Sequence, residues 1–146
     1  MIRPGRAADM ADITHVRTSV IENHLSVAQM AELGITPGSI IAEMESGDLG
    51  CWVAEDAGRV IAYSIADRRD GSIFALFVLP AHEGKGHGTR LLDACERWLR
   101  DQGHRSATLS TGRGTKAHGF YLRRGWQMTS EIAGHFAEDD VFRKEL

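Results

Sequence analysis

Cysteine is scarce in this chain, with two among 146 residues, which excludes a disulfide framework. Neither Cys51 nor Cys95 lies in a Cys-x-x-Cys pair or near a histidine at zinc spacing. The seven histidines form no His-x-x-x-His pair, so we expect no metal site. Cys95 shares a helical face with Leu91 and Leu99, and this spacing favours packing over a nucleophilic role.

Long apolar runs are absent too: no stretch approaches the roughly 18 apolar residues that a membrane-spanning helix needs. No charged start followed by an apolar stretch marks a signal peptide, so we expect a cytoplasmic protein without membrane association. The formal charge of −3 gives no electrostatic basis for binding nucleic acid. Hydrophobic residues make up 42% and charged residues 25%, as in ordinary globular proteins, which predicts a single domain over residues 1–146.

Two familiar phosphate motifs are missing as well. Neither Gly-x-x-x-x-Gly-Lys-Ser/Thr nor a dinucleotide fingerprint occurs, which disfavours a mononucleotide kinase and a simple dehydrogenase. A different glycine-rich segment follows the apolar run from Phe74 to Pro80 and precedes an amphipathic helical pattern: Glu83, Gly84, Lys85, Gly86, His87, Gly88 and Thr89. Glycines between a strand and a helix let several backbone N–H groups turn toward one anion at the positive end of the helix. A strand, a glycine turn and a helix also form a common structural unit without a ligand.

A second motif lies near the C-terminus, where Ala117, Phe120, Tyr121, Gly125 and Trp126 fall in the pattern Ala-x-x-Phe-Tyr-x-x-x-Gly-aromatic. Together the two motifs resemble the GCN5-related N-acetyltransferase (GNAT) family. The glycine segment resembles the acetyl-CoA loop of that family, Gln/Arg-x-x-Gly-x-Gly/Ala. The resemblance is clear from about Gly50 to the C-terminus and vague before it.

The chain departs from the family pattern at two positions. Glu83 stands where the family usually has a neutral or cationic side chain. Backbone N–H groups do most of the anion binding in such loops. We expect the Glu83 carboxylate to weaken phosphate binding, and the charges of Lys85 and Arg90 to offset this loss. Gly114 stands three residues before Ala117, where the family often has an asparagine that contacts CoA.

The fold that the resemblance implies is α/β (α+β), with a mixed, mostly antiparallel central sheet, a splayed strand pair and helices on both faces. The sequence pattern agrees with it. We predict strands at Ile2–Arg3, 52–55, 60–66, 72–78 and 107–110, and a closing hairpin of 126–132 with 140–143. Helices are predicted after a cap at Asp9, at 26–33, from Thr36-Pro37 to Gly47, after Gly88 and at 115–124. In the helix after Gly88, Asp93, Glu96, Arg97 and Arg100 are predicted to face water.

The same resemblance implies site residues. The pantetheine arm of acetyl-CoA pairs like an added strand with Leu76, Phe77 and Val78, and its pyrophosphate lies against residues 83–89. Tyr121 occupies the position of the acid that protonates the departing thiolate. Many relatives place a glutamate on the fourth or fifth strand, whereas 72–78 and 106–110 contain no carboxylate. A water chain ending on Glu22, His24 or Asp67 is therefore the expected base, with Glu22 preferred.

The function implied is direct transfer of an acetyl group from acetyl-CoA, as co-substrate, to a primary amine. The alternative is a CoA-responsive binding or regulatory module that kept the fold and lost the chemistry. The acceptor stays open among lysine side chains, protein N-termini, polyamines, aminoglycosides and small amino acids. Its pocket is expected near residues 15–41 and near Gly134 and His135, and homodimers are common among relatives.

Overall fold

A computed structural model describes residues 2–129 and 139–146. Its strands form one sheet in the order β1-β2-β3-β4-β5-β7-β6. The strands are β1 Ile2–Pro4, β2 Leu49–Asp56, β3 Arg59–Asp67, β4 Ser72–Val78, β5 Ser106–Gly112, β6 Gln127–Thr129 and β7 Asp139–Glu145. The α-helices are α1 Met10–Ser19, α2 Val27–Glu32, α3 Pro37–Glu45, α4 His87–Asp101 and α5 Lys116–Arg123. Short 3-10 helices cover Ala7–Asp9 and Pro80–His82.

The sheet is antiparallel except at one place. Strands β4 and β5 are parallel and share a single residue pair, Ser72 with Thr108, where the Thr108 N–H donates to the Gly71 carbonyl at 3.1 Å. Beyond that pair the two strands carry no ladder. The predicted splayed pair is therefore confirmed, and it divides the sheet into a half of β1 to β4 and a half of β5, β7 and β6.

Helices cover both faces of the sheet. On one face, α1 and α3 bury Ile13, Val16 and Ile40 against β2 and β3. On the other face, α4 and α5 bury residues such as Leu92 and Tyr121. Strand β3 is buried from Val60 to Ala66, as its nearly continuous apolar sequence requires when both faces are covered.

Capping and turn residues determine where most of the helices and strands begin and end. Ser26 and Thr36 each cap a helix by accepting a backbone N–H bond from the residue three positions later. The turn between β2 and β3 holds Ala57 and Gly58 at positive φ, as predicted for a tight hairpin. The predicted closing hairpin is seen as β6 paired with β7, and its residues 130–132 lie outside the described residues.

Two predictions about side chains are wrong. Glu96 does not face water: it is 6% exposed, and its carboxylate lies 2.6 Å from the Lys144 Nζ on β7. Asp9 precedes α1 as predicted, but its side chain does not cap that helix. The Asp9 carboxylate instead accepts two bonds from the Arg3 guanidinium at 2.8 Å, because the 3-10 helix brings it back toward β1.

Within the described ranges, no helix combines the length and the apolar character that a bilayer crossing requires. Among the same residues, no group of three His, Cys, Asp or Glu side chains is arranged to hold a metal ion. Both cysteines are buried free thiols, and burial raises the pKa of each to about 12. Neither is poised as a nucleophile, in agreement with the packing role that the spacing indicates.

Candidate active site

The gap between β4 and β5 opens into a cleft of about 1390 Å³. Its lining comes from both faces of the sheet: α1 and α2 on one side, and the glycine segment, α4 and α5 on the other. Thr89, Phe120 and Tyr121 line the second side. The splayed strands therefore create a passage through the sheet rather than a pocket on one face.

The glycine segment adopts the conformation that its sequence predicts. Gly84 and Gly86 have φ values of 77° and 85°, which residues with a Cβ rarely adopt, and Gly86 is the N-cap of α4. The Arg90 N–H, directly after the segment, donates to the Gly86 carbonyl. Across the described residues, the N–H groups of 84–89 have no protein acceptor. These six donors lie at the positive end of a 15-residue helix, an arrangement that favours an anion.

The charge of Glu83 is balanced by a residue that the sequence did not indicate. The Lys116 Nζ, at the start of α5, lies 3.6 Å from the Glu83 carboxylate. Arg90 instead turns back onto the loop, where its Nη2 donates to the Lys85 carbonyl and lies 3.3 Å from the His87 Nδ1. Burial, followed by the charge of Arg90, lowers the pKa of His87, so this imidazole is neutral at neutral pH.

Arg124 links the two motif helices, a contact that the sequence did not indicate. Its Nε and Nη2 donate to the Thr89 hydroxyl at 3.0 and 2.6 Å. Its guanidinium carbon lies 3.8 Å from the centroid of the Phe120 ring. The Phe120 ring lies 3.4 Å from the position that a Cβ on Gly88 would occupy. This stack fixes the first turn of α4 against α5.

The edge of β4 that faces the gap has backbone groups that no described residue pairs with. Because the Leu79 N–H bonds to the Ile61 carbonyl of β3, alternation along the strand directs the N–H groups of Val78 and Leu76 away from β3. The side chains of Leu76 and Val78 pack on the α4 face, and Phe77 packs on the α1 face. Buried backbone groups need partners, so this edge suits an extended, amide-rich ligand.

Tyr121 lines the cleft from α5, as predicted. It is 6% exposed and packs against Phe120, Trp126 and Phe142. Its hydroxyl has no hydrogen-bond partner in the described part of the chain. Burial raises the pKa of Tyr121 well above its ordinary value, so the phenol keeps its proton at neutral pH and can donate it.

The three base candidates occupy different places around the cleft, and all three line it. Glu22 is exposed, and its Oε2 accepts the Lys116 N–H at 2.8 Å, where it caps α5. His24 is exposed and bonds through Nδ1 to the Val20 carbonyl. Burial raises the pKa of Asp67, but the hydrogen bonds from Arg69 lower it by more. The net lowering makes Asp67 a weak base. The acceptor positions Gly134 and His135 lie outside the described residues.

Asn23 is a further residue that sequence reasoning missed. Its Oδ1 accepts the Gly112 N–H at 3.0 Å, and its Nδ2 donates to the Thr111 hydroxyl. A Cβ on Gly112 would lie 2.5 Å from the Asn23 Oδ1, so a side chain at this position would displace the Asn23 amide. The loop after α1 is thereby fixed to the end of β5, beside the gap.

Comparison with known proteins agrees with this architecture. A family profile described as "Acetyltransferase (GNAT) family" matches residues 17–126, about three quarters of the chain. The chain belongs to the GNAT family of acetyltransferases. Membership makes it an acyl-CoA-dependent acetyltransferase, and acetyl-CoA is the co-substrate that this family uses.

Solved structures of low identity share the fold of this acetyltransferase. PaiA N-acetyltransferase from Thermoplasma acidophilum, in complex with coenzyme A, is 14% identical with a TM-score of 0.82, covering 100% of this chain and 98% of its own. Ribosomal-protein-alanine N-acetyltransferase from Brucella melitensis is 19% identical with a TM-score of 0.75, covering 100% and 99%. YncA from Salmonella typhimurium, with its cofactor acetyl-CoA, is 20% identical with a TM-score of 0.73, covering 100% and 93%. No curated protein matches the acetyltransferase at a significant level.

Proposed function

We propose that this acetyltransferase moves the acetyl group of acetyl-CoA to a primary amine, and that the co-substrate binds across the gap between β4 and β5. The observation that carries the proposal is the row of six N–H groups at residues 84–89 without a protein acceptor. They would hold the pyrophosphate, and the free edge at Leu76 and Val78 would pair with the pantetheine amides. The glycine segment and the β4 edge together offer the donors that a pyrophosphate and an amide-rich arm need.

The chain's own groups supply three functions in the transfer. Acetyl-CoA supplies an activated acyl carbon, to which the amine nitrogen bonds as the carbon–sulfur bond breaks. A primary amine has a pKa near about 10 and must first lose a proton, for which a water chain to Glu22 is our candidate route. An N–H group of the same β4 edge that is not paired with pantetheine would stabilise the negative charge that develops on the carbonyl oxygen. The Tyr121 hydroxyl donates a proton to the departing sulfur.

The test has a binding arm and a turnover arm. Acetyl-CoA at one hundred times its dissociation constant adds about 2.7 kcal/mol to the free energy of unfolding, which a thermal-shift assay detects. Release of free thiol with a library of primary amines reports transfer. An absent thermal shift at millimolar acetyl-CoA contradicts the binding site. A shift without thiol release from any amine contradicts transfer and favours a binding module.

Several broader features stay proposals. We propose that residues 1–146 form one domain, supported by the continuous strand order of β1 to β7 in one sheet. We propose a cytoplasmic protein, and we propose that it does not bind nucleic acid; the formal charge of −3 supports the second proposal. A homodimer is our expectation from the family, and size-exclusion chromatography with light scattering tests it.

A further inference from the structure

Arg17 on α1 lines the cleft on the face opposite to the glycine segment. Its guanidinium carbon lies 4.2 Å from the centroid of the Phe77 ring. Phe77 stands between Leu76 and Val78, whose N–H groups face the gap. The charge of Arg17 is therefore held beside the strand at which acyl transfer is proposed to occur.

The hydrogen-bonding capacity of this guanidinium is unused. None of its three nitrogens has a hydrogen bond or an ion pair within the described residues, and its Nη1 is buried. Burial lowers the pKa of Arg17, and the nearby Tyr63 opposes this shift. Contact with the face of Phe77 involves none of the five N–H donors. Arg3, by contrast, pairs with both Asp9 and Glu55.

The surroundings of Arg17 select a singly charged anion. Among the cleft-lining residues that precede β4, Arg17 is the only lysine or arginine, so this end of the cleft offers one permanent positive charge. The carboxylates at this end, Glu22, Asp67 and Asp70, already accept hydrogen bonds from Lys116, Arg69 and Ser72. Most of its neighbours in the lining are apolar, including Met10, Ile13 and Ile40. A carboxylate matches both the single charge and the planar fork of a guanidinium.

We propose that the acceptor is a small molecule that carries a carboxylate as well as the reacting amine, and that Arg17 binds this carboxylate. The proposal rests on the proposed function and narrows its acceptor to amino acids in the broad sense. Polyamines and aminoglycosides lack the required anion. An acceptor bound in this way presents its amine toward the gap from the α1 face, while the glycine segment holds the co-substrate from the α4 face.

The test uses matched acceptor pairs. The probes are the common α-amino acids, with β-alanine and 4-aminobutyrate, each assayed beside its own primary amide by thiol release from acetyl-CoA. We expect the kcat/KM of the best acid to exceed that of its amide by about tenfold or more, mainly through KM, because a charge-assisted bidentate contact is lost in the amide. Arg17→Gln should bring this ratio close to one, and Arg17→Lys should keep part of it.

Arg97→Gln is the matched control, since Arg97 is an exposed arginine on α4 away from the cleft. It should leave the ratio of acid to amide unchanged. Thermal denaturation and acetyl-CoA binding of each variant confirm that the fold and the co-substrate site are intact. If amides react as well as acids with the unmodified protein, or if Arg17→Gln keeps the preference for acids, the proposal is overturned.

A binding readout separates failure of this proposal from failure of the proposed function. The unmodified protein saturated with coenzyme A is titrated with N-acetylated amino acids and with their amides, and the thermal shift is recorded. Greater stabilisation by the acids, lost in Arg17→Gln, supports the carboxylate site even where no amine is turned over. Equal shifts by acids and amides overturn it. Efficient acetylation of amines without a carboxylate overturns it too, while leaving the proposed function intact.

Discussion

Tyr121 shows how its surroundings suit one buried side chain to the role that we propose for it. Its ring packs among Phe120, Trp126 and Phe142, which is the ordinary role of a tyrosine on an apolar helical stripe. Its hydroxyl lacks a protein partner in the described residues and lines the cleft. The same packing that buries the ring raises its pKa, and a phenol that holds its proton is suited to donate it to a thiolate.

Replacing that hydroxyl should slow the reaction without weakening binding of the co-substrate. We expect Tyr121→Phe to lower kcat by about tenfold or more, because the departing sulfur loses its proton donor. Tyr63→Phe removes the other tyrosine hydroxyl, on the α1 face beside Phe77, and should change kcat far less. Thiol-release kinetics measure both variants, and full activity of Tyr121→Phe would remove the tyrosine from the mechanism.

The pH dependence follows from the direction of the shift. Because the pKa of Tyr121 is raised above its ordinary value of 10, its proton is retained throughout the range from pH 6 to pH 10. Deprotonation of the acceptor amine should therefore make kcat/KM rise with pH, and no falling limb from Tyr121 should occur below pH 10. A decline near pH 8 that is absent in Tyr121→Phe would contradict this assignment.

Among the elements, the start of α4 depends most on a single residue. Gly86 caps the helix at a φ of 85°, and a Cβ added there would lie 3.1 Å from the Arg90 Nη1. Gly86→Ala should cost about 1–2 kcal/mol of stability, because an L-residue with a Cβ is strained in the left-handed region. If the backbone relaxes, the N–H groups of the loop lose their common direction, and the Kd for acetyl-CoA should rise about tenfold.

A glycine of ordinary conformation provides the control. Gly38 lies in the first turn of α3 with nothing within 4 Å of an added Cβ and no positive φ. Gly38→Ala should be neutral or stabilise the protein by up to about 1 kcal/mol, and it should leave the Kd unchanged. Calorimetric titration with acetyl-CoA distinguishes the two variants. Equal affinities would show that the conformation of Gly86 is not needed for binding.

The elements also show what a sequence can and cannot predict here. Turn glycines, caps and apolar periods act within a few residues, so the glycine loop, the capped helices and the bounds of β4 could be predicted. Glu96 could not, because its carboxylate is held by Lys144, which is distant in the chain and becomes a neighbour only through the pairing of β7 with β5. Arg17 and the pair of Lys116 with Glu83 escaped prediction for the same reason.

For the molecule as a whole, the Arg3–Asp9 pair links the N-terminal strand to the first helical segment and makes stability depend on pH. Bonds from Arg3 lower the pKa of the 7%-exposed Asp9 below its ordinary value of 3.8. Its contribution is therefore fully present above about pH 4 and is lost as the pH falls through the lower folded-state value. We expect Asp9→Asn to cost about 1–3 kcal/mol at pH 7 and progressively less below pH 4.

Denaturant unfolding measured between pH 2 and pH 7 tests this dependence. Asp93→Asn provides the matched change at an exposed position on α4 and should alter the unfolding free energy little at any pH. A loss in Asp9→Asn that persists undiminished at pH 2 would mean that the carboxylate charge is not its source.

The passage between β4 and β5 also bears on the order of events during turnover. Its lining includes the glycine loop on the α4 face and Arg17 on the α1 face. Two reactants that bind from opposite faces of the sheet do not obstruct each other. Both can therefore be bound before any bond is formed or broken. The architecture thus permits a sequential mechanism through a ternary complex. Such a mechanism needs no covalent acyl-enzyme intermediate.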